Sequence, residues 1–302
     1  MKVTIDPRAG FCWGVVRTVQ IAEEVLRTNP PGTVYVLGHI IHNPREIERL
    51  ESLGLATISR DDISRLPKGS KVLIRAHGEP PETYRQAFQN GIEIIDATCP
   101  VVTKLQERVR KFYDLGYQIV VFGKATHAEV LGVRGVCNDE CVVVSSVEEA
   151  LERVDLRRKT ALFSQTTMDR PTFIRLRDAL RARIAELVVE EMQGIASEFH
   201  AKDTICGQVA GREQDLRRFA REHEVIIFVA GRESSNGKVL FQVVHEENPR
   251  TYFIEDSSEL CPQWFEGVET VGITGATSTP QWYMNHVRQE ILRRFATASV
   301  TQ

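Results

Sequence analysis

The chain has 302 residues, enough for one large domain or several small ones with cores of their own, and needs no disulfides to fold. Hydrophobic residues make up 42% and charged residues 26%, which excludes a disordered chain. A net charge of −3, with Lys and Arg scattered along the sequence, argues against nucleic acid as a partner. No apolar run approaches the ~20 residues of a membrane-spanning helix. The opening MKVTIDPRAGFCWGVV also lacks the pattern of a secretory signal. The expectation is a cytoplasmic protein whose six cysteines are reduced thiols, some of them available to a metal.

In chain order, short β-branched runs predict strands at 2–6 (KVTID), 33–37 (TVYVL), 71–75 (KVLIR), 92–96 (IEIID), 118–122 (QIVVF), 160–164 (TALFS), 225–229 (VIIFV) and 270–274 (TVGIT). Amphipathic segments at 15–27, 101–115, 172–187 and 214–223 supply crossover helices. The near-continuous apolar character of the strands suits parallel sheets buried on both faces, so the predicted fold class is α/β with mainly parallel sheets. Cys12, Cys99 and Cys206 stand roughly a third of the chain apart, each before a helical pattern. That spacing predicts three similar α/β units, 13–98, 99–203 and 204–302, with the strand in 1–12 joining the last.

In open α/β sheets ligands bind beyond the carboxyl ends of the strands, and here those ends are polar. TVYVL runs into GHIIHN, KVLIR into AHGE, IEIID into ATCP, QIVVF into GKATHAE, TALFS into QTT, VIIFV into AGRESSNG and TVGIT into GATS. Any one of these could be an ordinary turn or helix cap. Together they point to one shared site.

Cys12 in GFCWGV, Cys99 in DATCPVVTK and Cys206 in DTICGQV each precede a helix start, whose amides favour an anionic thiolate or cluster. Three thiolates on an iron-sulfur cube would leave one iron open to substrate. Three buried, inert thiols remain the plain alternative. Cys137 and Cys141 could join Cys261 in another metal site, but a hairpin-like setting before VVVS favours incidental thiols. His42, His77 and His127 all follow predicted strands and suit an anion pocket. Ser234, Ser235 and Asn236 precede a helix predicted to begin near Gly237, whose N-terminus would favour phosphate. Glu129, two residues after His127, is either a proton donor or a solvated acid in a first helical turn.

The segments GFCWGV, IIHN, RAHGE, DATCPVVTK, HAEV, SQTT, DTIC, RESSNG and GATSTP, taken in order, resemble the 4-hydroxy-3-methylbut-2-enyl diphosphate reductase family from about Lys2 to Pro280. The resemblance implies three α/β units in a pseudo-threefold arrangement around a central 4Fe-4S cluster, one per chain, held by Cys12, Cys99 and Cys206. It implies a diphosphate held by His42, His77 and His127 with Ser234, Ser235, Asn236 and Ser278. Glu129 would serve the proton path, with Thr166 assisting it and touching substrate. An external electron donor such as ferredoxin or flavodoxin is implied as partner. The products would be isopentenyl and dimethylallyl diphosphates, made in the last step of the non-mevalonate isoprenoid pathway. CGQVAG stands where many members have a C-Y-A-T-T-like run. A metal-dependent phosphohydrolase would need ligand motifs such as HExxH that are absent, and a non-enzymatic phosphate-binding protein would leave the three cysteines unexplained.

Overall fold

A computed structural model describes residues 1–191 and 198–295. Residues 192–197 of the expected second unit and 296–302 of the expected third lie outside the described residues. The elements run β1 (Lys2–Ile5), α1 (Trp13–Thr28), β2 (Val34–Leu37), α2 (Pro44–Ser52), β3 (Ala56–Ile58), β4 (Lys71–Ile74), α3 (Pro81–Gln89), β5 (Glu93–Asp96), α4 (Pro100–Asp114), β6 (Gln118–Phe122), α5 (Ala128–Val136) and β7 (Cys141–Val144). They continue with α6 (Val147–Arg153), β8 (Thr160–Ser164), α7 (Arg170–Glu191), β9 (Phe199–Ala201), α8 (Gly207–Ala210), α9 (Glu213–Arg221), β10 (Val225–Val229), α10 (Ser235–Glu247), β11 (Thr251–Ile254), β12 (Thr270–Gly275) and α11 (Gln281–Phe295).

The strands form three four-stranded sheets, ordered β1-β12-β10-β11, β3-β2-β4-β5 and β7-β6-β8-β9. Their ladders are parallel. The last two sheets share one order: the first strand lies between the second and the third, and the fourth forms an edge. The other sheet repeats it when the count runs from β10 through β11 and β12 and closes on β1. The chain divides into two compact units. One comprises Met1–Gly32, His39–Ala56 and Gly207–Gln302 and carries the sheet containing β10. The other comprises Thr33–Gly38 and Thr57–Cys206 and carries the remaining two sheets.

Side chains alternate across a strand, so a strand covered on both faces must be apolar throughout. In β6, Ile119 and Val121 pack with Leu105 and Val109 of α4 and Val130 and Val133 of α5. Val120 and Phe122 face the other way, towards Ala150 of α6 and Phe173, Leu176 and Leu180 of α7. In β10, Val225, Ile227 and Val229 meet Met284, Val287 and Ile291 of α11, while Ile226 and Phe228 meet α9 and α10. Each such side chain stabilises the fold by about 1.5–3 kcal/mol through burial.

The structure adds four strands to those predicted: β3, β7, β9 and β11. All four are sheet edges of three or four residues. They are short and only partly covered, so even the apolar CVVV of β7 is too brief to stand out as a strand. The hairpin expected around Cys137 and Cys141 is not formed. Cys137 ends α5, Asn138 and Asp139 turn through left-handed conformations (φ 51° and 67°), and Cys141 opens β7, which runs parallel to β6.

Candidate functional site

The repeated strand order gives the three cysteines a repeated position. In each sheet the fourth strand, β1, β5 or β9, leads to one of them, Cys12, Cys99 or Cys206. Cys12 caps the N-terminus of α1, Cys99 caps α4 with Pro100 at its first position, and Cys206 immediately precedes α8. Proline fits there because the first helical N–H has no intrahelical partner to lose. Each cysteine N–H donates to a carbonyl two residues beyond the third strand of the same sheet. The acceptors are Thr277 for Cys12 (3.1 Å), Ala76 for Cys99 (3.0 Å) and Thr166 for Cys206 (2.8 Å). The same anchor therefore holds all three cysteine backbones where a helix begins.

Burial pushes the Cys99 thiol above its ordinary pKa, the amides of Val101 and Val102 pull it down, and Cys206 and Glu129 oppose its ionisation electrostatically. Ionisation at this position calls for a cation. Cys137 offers a contrast: its thiol, buried in the apolar cluster between α4 and α5, donates to the carbonyls of Val133 and Arg134, both at 3.4 Å.

Glu129 lies in the first turn of α5 with only 1% of its surface exposed, so it is not a solvated acid. Its Oε1 accepts from the Thr166 N–H (2.6 Å) and its Oε2 from the Thr166 hydroxyl (2.7 Å). Burial pushes its pKa up to about 7 despite the two Thr166 bonds, which lower it. The carboxyl is thus poised to hold or release a proton near neutrality. When it is protonated the Oε2–Oγ1 bond can reverse, freeing the Thr166 hydrogen for a third group. His127 caps α5, its Nδ1 accepting the Glu129 N–H at 3.2 Å. A neutral imidazole accepting at Nδ1 carries its hydrogen on Nε2, which becomes the outward donor. His77 meets His127 edge-on, with ring centroids 5.2 Å apart.

In the unit that carries β10, Ser234 caps α10 and its Oγ accepts the Gly237 N–H at 3.0 Å. The helix begins at Ser235, two residues before the expected start, so Ser235 and Asn236 lie within its first turn rather than ahead of it. Asn236 is 5% exposed, and its Oδ1 accepts from both the N–H (2.9 Å) and the hydroxyl (2.8 Å) of Thr277. That pairing fixes the amide orientation. Its Nδ2 is buried without a hydrogen-bond partner among the described residues, a donor that costs about 1–3 kcal/mol unless a ligand engages it. Ser278 follows β12, and its Oγ lies 3.4 Å from the carbonyl oxygen of His42. Gly231, after β10, is also forced by close approach, since any Cβ there would collide with that same carbonyl.

Thr277, which orients Asn236, was not among the sequence candidates. Asn43, which ends the IIHN segment, was not among the candidate site residues; its Oδ1 caps α2 by accepting the Glu46 N–H at 3.1 Å. The buried pair Asp6 and Arg212 was missed altogether, because nothing in the sequence joins residues so far apart.

A family model described as LytB protein matches residues 3–292. The 4-hydroxy-3-methylbut-2-enyl diphosphate reductase of Chloroherpeton thalassium is 46% identical over 317 aligned positions, covering 100% of both chains. That of Chlorobaculum parvum is 44% identical, covering 98% of this chain and 97% of its own. A solved structure of (E)-4-hydroxy-3-methyl-but-2-enyl diphosphate reductase, described as the terminal enzyme of the non-mevalonate pathway, matches with a TM-score of 0.70 and 36% identity. The match covers 97% of this chain and 100% of that one. The E-1-hydroxy-2-methyl-but-2-enyl-4-diphosphate reductase of Plasmodium falciparum has a TM-score of 0.84 at 24% identity, covering 96% of this chain and 87% of its own, a likeness of fold. With both its sequence and its three sheets matched along nearly their whole length, the chain belongs to the LytB protein family.

Proposed function

We propose that the chain is a 4-hydroxy-3-methylbut-2-enyl diphosphate reductase, forming isopentenyl and dimethylallyl diphosphates, with Cys12, Cys99 and Cys206 holding a 4Fe-4S cluster. The observation that carries the cluster assignment is the backbone anchor repeated at all three cysteines. The donor chemistry fits: three thiols at helix starts, one of which resists ionisation unless a cation compensates it. A bound cluster would supply electrons and, at the iron that no cysteine ligates, a Lewis acid.

The chain's own residues then divide the remaining work. His42, His77 and His127 bind the diphosphate with Ser234, Ser235, Asn236 and Ser278, the α10 N-terminus adding its positive end. Glu129 gives a proton towards the departing hydroxyl through Thr166. The substrate's C–O bond breaks and its oxygen leaves as water, while the allylic fragment takes up two electrons and a second proton. We assign the chain three units, 13–98, 99–203 and 204–302 with 1–12, and each sheet lies within one of those ranges. Among the described residues no helix is long and apolar enough to cross a membrane. We assign the protein to the cytoplasm, with ferredoxin or flavodoxin as donor.

Asn236→Ala, His42→Ala and Ser278→Ala should weaken substrate binding to the intact holoenzyme while leaving iron content unchanged. Asn236→Ala is expected to raise Kd by roughly 10- to 100-fold, the scale of one charge-assisted hydrogen bond. Calorimetric titration with substrate checks this, and unchanged isotherms for all three variants would show the pocket to be misplaced.

Anaerobic purification followed by turnover with a chemical reductant tests the whole assignment. A brown, iron- and sulfide-containing protein that converts 4-hydroxy-3-methylbut-2-enyl diphosphate supports it. A colourless protein inactive under those conditions overturns it.

A further inference from the structure

The chain buries an ion pair next to one of its proposed cluster ligands. Arg212, at the start of α9, is 7% exposed and Asp6, just past β1, is 4% exposed. The guanidinium donates to the Gly275 carbonyl (3.2 Å) and to Asp6 Oδ2 (3.3 Å). Asp6 also accepts from the Thr274 hydroxyl (2.8 Å) and the Arg8 N–H (2.9 Å). Its own N–H donates to Ile273 (2.8 Å). The pair therefore ties together the carboxyl ends of β1 and β12. The loops that follow those two strands meet where the Cys12 N–H reaches Thr277. The Cys12 thiol lies within the electrostatic field of Arg212. The Arg212 Nε is buried without a hydrogen-bond partner among the described residues.

A buried ion pair is a poor source of stability, since desolvation offsets most of its attraction and an apolar replacement often does as well. What the charges do supply is a field in a region of low dielectric. We propose that Arg212 and Asp6 set the reduction potential of the cluster held at Cys12, Arg212 favouring the reduced state and Asp6 opposing it. Reduction adds negative charge, so a fixed cation nearby raises the potential and a fixed carboxylate lowers it. Arg212 acts here as an electrostatic positioning residue, without contact to substrate. The inference rests on the cluster assignment above.

The test is a dye-mediated redox titration of anaerobically purified holoenzyme, followed by absorbance and electron paramagnetic resonance. Arg212→Met keeps most of the side-chain length and removes the charge. It should disfavour reduction by about tenfold, a fall of about 59 mV for a one-electron couple. Asp6→Asn keeps the shape and should shift the potential by a similar amount in the opposite direction. Arg212→Lys should stay close to wild type. A merely structural role cannot produce opposite signs from the two halves of one pair, so shifts in the same direction, or no shift, overturn the proposal. If Arg212→Met fails to fold, the rise in Asp6→Asn set against an unmoved Arg212→Lys decides it. A wild-type protein without iron rejects the cluster assignment itself, whereas iron-loaded variants with unmoved potentials reject only the role of the pair.

Discussion

Glu129→Gln lowers kcat by roughly 100-fold or more, the usual scale for removing a positioned general acid, while iron content and substrate affinity stay near wild type. The substitution preserves shape, and the glutamine amide can still meet the backbone and hydroxyl of Thr166, which bind the carboxylate at 2.6 and 2.7 Å. What it removes is a proton that can be given up near neutral pH. The defect therefore belongs in kcat rather than KM. The measurement is anaerobic turnover on samples matched for iron, with binding determined separately. A fully loaded Glu129→Gln enzyme with near-wild-type kcat would exclude Glu129 as the proton donor and leave the cluster assignment standing.

The same residue sets a pH dependence whose sign follows from its burial. Its folded pKa is raised to about 7 from an ordinary 4.5, so the folded protein holds this proton more tightly than the unfolded chain. The stability gained is fully present below the unfolded value and is lost as pH rises through the folded one, in total roughly 3 kcal/mol. Activity that needs the protonated acid should likewise fall as pH passes about 7. In Glu129→Gln both the decline in kcat and this part of the stability change should vanish. A kcat profile and thermal melts across the neutral range, wild type against variant, would show it.

Cys99→Ser should lose nearly all iron and activity, because a hard, weakly acidic hydroxyl replaces a thiolate poorly on iron. The fold should survive. Cys99 occupies the N-cap of α4, where its thiol makes no capping bond, and serine is a preferred cap whose hydroxyl can accept the N2 or N3 amide. The apoprotein melt should hold or rise, by ~0.5–1 kcal/mol. Cys137→Ser should keep both iron and turnover, since that thiol donates to two helix carbonyls and a serine hydroxyl can do the same. Iron analysis, the visible spectrum and anaerobic assays distinguish the two variants. Normal iron content in Cys99→Ser would remove the basis of the ligand assignment.

Eight strands were legible: the six central ones, covered on both faces and apolar as the runs in β6, β8 and β10 show, and the edges β1 and β5, whose KVTI and EIID stretches are rich in β-branched residues. The other four edges, β3, β7, β9 and β11, were not singled out; each is only three or four residues long. Helix starts at Trp13 and Pro100 lay within a residue or two of expectation, because cap position and proline placement are local chemistry. The start of α10 was set two residues late. Ser234 caps it by accepting the Gly237 N–H, and that choice among three successive polar residues depends on how the chain leaves β10.

By itself the amino-acid sequence determined the α/β class, the central strands, the three cysteines at helix starts and the polar loops that follow the strands, all of which depend on residues close in the chain. Tertiary structure alone decided what those residues experience. Glu129 is an exposed first-turn acid or a buried, near-neutral one according to whether other elements cover it, and here they do. Asn236 becomes an oriented donor only because Thr277, far along the chain, takes its oxygen. Asp6 and Arg212 likewise become partners only when β1 pairs with β12. Desolvation and hydrogen-bond partnership are properties of neighbours in space, and residues distant in sequence become neighbours only once the strands have paired and the helices have packed on them.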